Sequence, residues 1–124
     1  MAIIFNNKND NLILREGVKL LQDMKIQDYN NLRMKDMSII PDINGHDFSG
    51  KDLPGVYLNG TACIGTNLSC CNLSKANFVQ ADLSMANLEG ANLRNAKLNG
   101  IDKSAAYLKY ARLEGIDDDD CYFI

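Results

Sequence analysis

The sequence predicts an all-β solenoid over most of its 124 residues. Written in fives from Pro41, the chain forms fifteen contiguous blocks that end at Gly115. The third place of every block is apolar except at Lys103, and the second place is Asn or Asp in ten blocks. A repeat of constant period is the primary signal for architecture, so it is considered before any local feature.

A period of five excludes the common regular elements. Side chains five residues apart on an α-helix are rotated by about 140°, so the apolar places would wrap around the whole helix. In a flat strand, an odd period sends successive apolar side chains to opposite faces. The chain must therefore turn once per block. If four blocks close a coil, residue n stacks on residue n+20, although the period alone also allows other polygons.

The apolar third places predict an interior stack. Its members are Phe48, Leu53, Leu58, Leu68, Leu73, Phe78, Leu83, Leu88, Leu93, Leu98, Leu108 and Leu113. Small residues, mostly Ala, occupy many of the first places, as a narrow interior filled by large central side chains requires. Lys103 interrupts the stack, and an unpaired ammonium in the shaft costs several kcal/mol. We therefore expect a bulge or an outward turn at Lys103, with Ile101 filling the vacated volume.

The pattern A-(N/D)-L-x-x over about residues 41–115 resembles that of the pentapeptide-repeat family. The resemblance implies a right-handed, four-sided β-helix of about four coils. The four-sided geometry and the handedness come from the resemblance rather than from the period.

Residues 1–40 lie outside the repeats and are predicted to form a mainly helical capping segment, since a solenoid needs atypical terminal pieces. Apolar residues near helical spacing predict a helix over Ile13–Met24, and Asp28 is expected to cap a second short helix that includes Arg33. Ala2–Phe5 is a candidate short strand. The segment is followed by the β-helix of residues 41–124, which includes a C-terminal cap.

At the C-terminus, Asp118 stands where a central leucine belongs, so the coil is expected to end there. The run Asp117–Asp120 is interpreted as solvated, although such a run also attracts divalent cations weakly. Tyr122, Phe123 and Ile124 form an apolar tail that either folds over the open shaft or contacts a second copy in a homodimer.

No catalytic, cofactor or metal site is predicted. His46, the one histidine, has no nucleophile paired with it in the pattern. The four cysteines, Cys63, Cys70, Cys71 and Cys121, lack C-x-x-C spacing and are interpreted as core thiols.

Charge and hydropathy limit the classes of partner and the location that we expect for this chain. Residues 41–124 hold seven Lys or Arg against eleven Asp or Glu, which argues against direct nucleic-acid binding. No apolar run is long enough to span a membrane, and the first residues lack the apolar stretch of a secretory leader, so we expect a cytoplasmic protein.

The leading functional hypothesis is a non-enzymatic bacterial protein-interaction module or scaffold whose partner the sequence does not identify. Exposed Tyr57, Tyr107 and Tyr110 are candidate contact residues. The resemblance also implies two alternatives. One is a DNA-mimicking inhibitor or protector of a type II topoisomerase, gyrase, and the other is a host-directed bacterial effector.

Overall fold

Residues 8–38 and 40–119 are described by a computed structural model, which contains two helices followed by a repeating coil. Helix α1 spans Lys8–Gln22 and helix α2 spans Ile26–Lys35. The candidate strand Ala2–Phe5 and the tail Tyr122, Phe123 and Ile124 lie outside the described residues.

Helix α1 begins earlier than the predicted Ile13 and ends at Gln22. Its end is defined by Met24, whose φ of 56° is left-handed, and by the N–H of Lys25, which donates to Leu20 O at 2.8 Å. This is the arrangement that commonly satisfies the last carbonyls of a helix. The predicted capping role of Asp28 was wrong. Lys25 precedes α2, and Asp28 lies within its first turn, where a carboxylate is favoured by the helix dipole.

From Asp47 onward, parallel bridges join residues twenty apart, beginning with Asp47 to Asn67 and ending with Lys97 to Asp117. Because each block has five residues, four blocks make one coil. The bridges are isolated in the described residues, and no continuous strand forms there. The chain turns within every block, so only the second-place residue of each side keeps a bridged geometry.

Three backbone hydrogen bonds per block join neighbouring coils, as Leu68, Cys70 and Asn87 illustrate. The N–H groups in the third and fifth places donate to second- and fourth-place carbonyls of the next coil: Leu68 N to Asn87 O at 2.7 Å and Cys70 N to Glu89 O at 2.8 Å. The second-place N–H donates back, from Asn87 to Thr66 O at 3.0 Å. The coil therefore has a direction, and its two edges carry different groups.

Every corner of the coil is a left-handed residue. All fifteen fifth places, from Gly45 to Gly115, have positive φ. The N–H of the following residue donates to the third-place carbonyl, as from Cys71 to Leu68 O at 3.3 Å, and a positive φ at this place is typical of a type II turn. Seven of these corners are not glycine: Cys70, Lys75, Gln80, Met85, Asn95, Ala105 and Tyr110. A left-handed non-glycine residue costs roughly 1–2 kcal/mol, so the interior packing must offset this strain.

Ten of the twelve predicted stack residues are buried, from Phe48 through Leu98. Leu108 and Leu113 are only half-buried, because they belong to the last coil and no further coil covers them in the described residues.

The expected bulge at Lys103 was wrong. The flanking carbonyls of Asp102 and Ser104 accept from Leu83 N and Met85 N, both at 2.8 Å, so the backbone keeps its register. Lys103 is half-buried and lies in the last coil, like its neighbours Leu108 and Leu113. The last coil therefore accommodates Lys103 without any distortion of the backbone register.

The described cysteines differ in burial according to their place in the block. Cys63 and Cys71 are buried, and burial raises the pKa of the Cys63 thiol to about 12 and that of Cys71 to about 11. The interpretation of Cys70 as a core thiol was wrong, because it occupies a corner and is exposed. Cys121 lies outside the described residues.

Candidate functional site

The Asn and Asp side chains of the second places are structural. Their Oδ1 atoms accept the backbone N–H two residues later, as Asn67 does from Ser69 at 3.0 Å. The same bond is made by Asp42, Asp47, Asn72, Asn77, Asp82, Asn87, Asn92 and Asp102. Asp52 is an exception because Pro54 has no N–H, and it accepts instead from Asn72 Nδ2 at 2.7 Å. These Oδ1 atoms therefore hold the turns of the coil.

Side chains of the two helices occupy backbone hydrogen-bonding positions on the first coil. Asn30 Oδ1 accepts from Tyr57 N at 2.9 Å, and Asn30 Nδ2 donates to Gly55 O at 3.0 Å. Arg33 donates from Nη1 to Tyr57 O and from Nη2 to Asn59 O, both at 2.9 Å. On another side of the coil, Gln22 Nε2 donates to Asp47 O at 3.2 Å.

Arg33 is 1% exposed, which is unusual for a charged side chain. Among the described residues no carboxylate forms a salt bridge with it. Its charge is instead stabilised by the two carbonyls and by Thr61 Oγ1 at 3.3 Å. Leu21 and Tyr29 are also buried and belong to the same apolar cluster as the interior stack, so both helices pack against the start of the shaft.

The most exposed large apolar side chains of the coil lie near its C-terminal end. Met85 is 61% exposed, Tyr107 48% and Tyr110 73%. Tyr107 pairs through its backbone with Asn87, two residues after Met85, and Tyr110 follows on the same side as Tyr107. The ammonium of Lys109 lies 5.1 Å from the centre of the Tyr110 ring. We name Met85, Tyr107 and Tyr110 the corner patch.

The structure brings no catalytic or metal-binding constellation together within residues 8–38 and 40–119. No group of three potential metal ligands occurs there, and Asp117 and Asp119 are exposed. His46 borders a cavity of about 310 Å³ with Leu14, Arg15, Val18 and Asp42. Its ring stacks on Phe48, with centroids 6.0 Å apart, and no Ser or Cys lines the cavity. His46 therefore has a packing contact with Phe48 and a ring nitrogen 3.3 Å from Asn44 O, and no Ser or Cys nucleophile lines its cavity.

Sequence reasoning identified part of this arrangement. Tyr107 and Tyr110 are exposed as expected, whereas Tyr57 is half-buried and its N–H is bound by Asn30. Met85 was missed, although a bulky residue in a fifth place, where Gly is frequent, was a usable signal. The contacts of Asn30 and Arg33 carried no signal in the repeat pattern, because they depend on how the helices fold back.

Neither helix of the described residues is long and apolar enough to cross a membrane. A family profile described as pentapeptide repeats matches the chain in 8 copies over residues 47–84, 57–95 and 86–117. No curated protein matches the chain in sequence.

Two solved structures show the likeness in fold. One is alr5209, a pentapeptide repeat protein from Nostoc PCC 7120, with 23% identity over 64% of this chain and 81% of that chain, at a TM-score of 0.58. The other is QnrB1, a plasmid-mediated fluoroquinolone resistance protein, with 19% identity and a TM-score of 0.57. That match covers 64% of this chain but only 38% of QnrB1.

Proposed function

Because this chain belongs to the pentapeptide-repeat family, we propose that it is a non-enzymatic protein-interaction module that binds its partner through the corner patch. Under this proposal the coil is a right-handed, rigid support, and the helical segment caps its first coil. Second-place side chains such as those of Asn67 and Asn87 accept backbone N–H groups in the turns.

One observation carries the proposal: Met85 and Tyr110 are bulky side chains at left-handed corners, with φ of 57° and 63°, and both are mostly exposed. Because both side chains are exposed, their own burial contributes little to offsetting that strain. Strained residues that the fold does not need are typical of functional surfaces. Tyr and Met are also enriched at protein interfaces, where they supply large contact areas.

The test compares three chains as immobilised baits in extracts of the source organism. The patch variant is Met85→Gly/Tyr107→Ala/Tyr110→Asn, in which the corner replacements suit positive φ. The control variant is Met34→Ala/Met37→Ala, which removes two exposed side chains elsewhere. A partner retained by the native chain and the control, and lost by the patch variant, supports the proposal. Identical captures by all three chains would refute it.

The fold likeness to a fluoroquinolone resistance protein makes inhibition or protection of gyrase the second candidate. A duplex mimic must present a dense negative field, about one charge per 1.7 Å of axis. Lys75, Arg94, Lys97, Lys109 and Arg112 interrupt the acidic residues of the outer surface. We therefore expect no inhibition of gyrase supercoiling at micromolar concentration. Dose-dependent inhibition that is lost when Asp117–Asp120 are changed to Asn would reverse this ranking.

We also propose that the chain forms a homodimer through its C-terminal end, where the half-buried Leu108, Leu113 and Ile116 leave apolar surface on the last coil. Removing residues 121–124, which include Tyr122, Phe123 and Ile124, should convert the dimer to a monomer in light scattering. An unchanged mass after truncation would contradict this arrangement. Nothing in the described residues favours the host-directed effector.

A further inference from the structure

The two ends of the coil carry complementary backbone groups. In each coil, third- and fifth-place N–H groups donate to second- and fourth-place carbonyls of the next coil, and second-place N–H groups donate back. We call the edge of residues 46–60 that faces the helices the leading edge, and the free edge of residues 106–115 the trailing edge. The leading edge therefore offers second- and fourth-place carbonyls as acceptors and second-place N–H groups as donors. The trailing edge offers third- and fifth-place N–H groups as donors and first-place carbonyls as acceptors.

Asn30 and Arg33 make the bonds that a preceding coil would make. In the block of residues 56–60, Asn30 Oδ1 accepts from Tyr57 N, as a first-place carbonyl does elsewhere. Arg33 donates to Tyr57 O and Asn59 O, as third- and fifth-place N–H groups do elsewhere. All three edge groups of this block are thus satisfied by two side chains.

The trailing edge has no such cover among residues 8–38 and 40–119. There, the N–H groups of Leu108, Tyr110, Leu113 and Gly115 donate to no acceptor. The side chains of Leu108 and Leu113 are half-buried, so apolar surface accompanies these donors. Unpaired edges of this kind are templates for pairing with another chain.

We infer that the leading edge is an end-to-end docking surface for the trailing edge of a second copy, and that Gln22, Asn30 and Arg33 keep it closed. A second copy fits because its trailing edge presents the same spacing of N–H donors, and the same apolar shaft, that each inner coil presents to the coil after it. The n to n+20 register places Asp47 of one copy beside Tyr107 of the other, since both continue the bridge column of Asn67 and Asn87.

This arrangement shares Tyr107 and Tyr110 with the corner patch, but it uses their backbone groups rather than their exposed side chains. It also differs from a tail-to-tail homodimer. A tail-to-tail pair joins two trailing edges and closes after two copies. Leading-to-trailing docking is heterologous and leaves a free edge at each end, so it continues into a filament. The helical segment thus limits the growth of the stack as well as stabilising the first coil.

The test is a directed disulfide between two full-length chains that carry Cys70→Gly and Cys121→Ser. The first chain carries Gln22→Ala, Asn30→Ala, Arg33→Met and Asp47→Cys, because Gln22 Nε2 donates to Asp47 O and covers the cross-linking site. The second carries Tyr107→Cys and is labelled with ¹⁵N so that mass spectrometry identifies mixed dimers. We expect mixed disulfides to rise at least about tenfold over the same pair with Gln22, Asn30 and Arg33 retained, because each hydrogen bond lost from the cover weakens it by about a factor of ten.

Asp52→Cys in place of Asp47→Cys is the matched register control, because it lies on a different side of the coil and should give only background cross-linking. Equal yields with and without the Gln22, Asn30 and Arg33 side chains, or equal yields from the two registers, would overturn the inference. The inference would also be overturned if the first chain stays folded by circular dichroism and forms no mixed disulfide with the second. If that chain does not fold, Arg33→Lys decides, because a lysine does not hold both carbonyls in a fork. A folded Arg33→Lys chain that cross-links at the native level overturns the inference, and a raised yield supports it.

Discussion

Leu73 and Leu113 occupy the same place of the block on the same side of the coil, two turns apart, yet they differ in burial. Leu73 is 0% exposed, whereas Leu113 is half-buried. The difference comes from their neighbours: Leu73 has coils on both sides, and Leu113 has a coil on one side only in the described residues. The repeat therefore assigns a residue to the interior, but its position along the axis sets how much that residue stabilises the fold.

The difference in burial between Leu73 and Leu113 predicts the largest difference in stability between two variants. Leu73→Ala should lower the free energy of unfolding by roughly 2–5 kcal/mol, because it leaves a cavity in a packed interior. Leu113→Ala should cost about 1 kcal/mol or less, since less apolar area is removed from a half-exposed site. Chemical denaturation of both variants measures the difference. Equal losses would mean that the last coil is as well covered as the middle one.

The second comparison is between two arginines. Arg33 is 1% exposed and donates to two carbonyls, whereas the side chain of Arg94 is 42% exposed and pairs with Glu114 at 3.4 Å. Arg33→Met should cost about 2–3 kcal/mol, because it leaves two carbonyls without donors. Arg94→Met should change stability by less than about 0.5 kcal/mol, as exposed ion pairs contribute little. Denaturation midpoints that shift equally would refute the assigned role of Arg33.

Gly65 and Met85 lie at the same corner of two neighbouring coils, with φ of 65° and 57°. Nothing lies within 4 Å of a Cβ added at Gly65, so Gly65→Ala should cost about 1 kcal/mol through backbone strain alone. Met85→Gly should leave stability unchanged or raise it slightly, because relief of strain exceeds the added entropy of the unfolded chain. Thermal unfolding distinguishes these signs. A clear loss on Met85→Gly would show that Met85 is held by packing.

The smallest expected effect is a pH dependence in the last coil. The side chain and the backbone N–H of Ser104 hydrogen-bond to Asp102 and hold the pKa of that carboxyl below its usual value. A depressed folded pKa stabilises the fold above the unfolded pKa, and this stabilisation is lost as the pH falls through the folded value. Ser104→Ala should raise the pKa of Asp102 in an NMR titration, while Ser84→Ala, one coil away, should leave it unchanged. A pKa that does not move in Ser104→Ala would contradict the assignment.

These comparisons indicate where sequence reasoning succeeded. The third-place column predicted the buried stack from Phe48 to Leu98, because a five-residue period allows one inward direction for those side chains. The period and the resemblance also predicted stacking of residues n and n+20, which the bridge between Asp47 and Asn67 begins. The prediction of a core thiol was wrong at Cys70, because Cys70 occupies a fifth place, which is an exposed corner of the coil.

The sequence by itself determined the coil, its block length and its inward residues, since these follow from a local pattern repeated fifteen times. Only the tertiary structure decided what happens at the ends. The backbone keeps its register through Lys103, which is half-buried in the last coil. Asn30 and Arg33 cover the first coil because the helices fold back onto it. Each of these contacts at the end of the coil occurs only once and joins residues more than twenty positions apart in sequence. A repeat pattern therefore cannot predict them, because they depend on long-range packing.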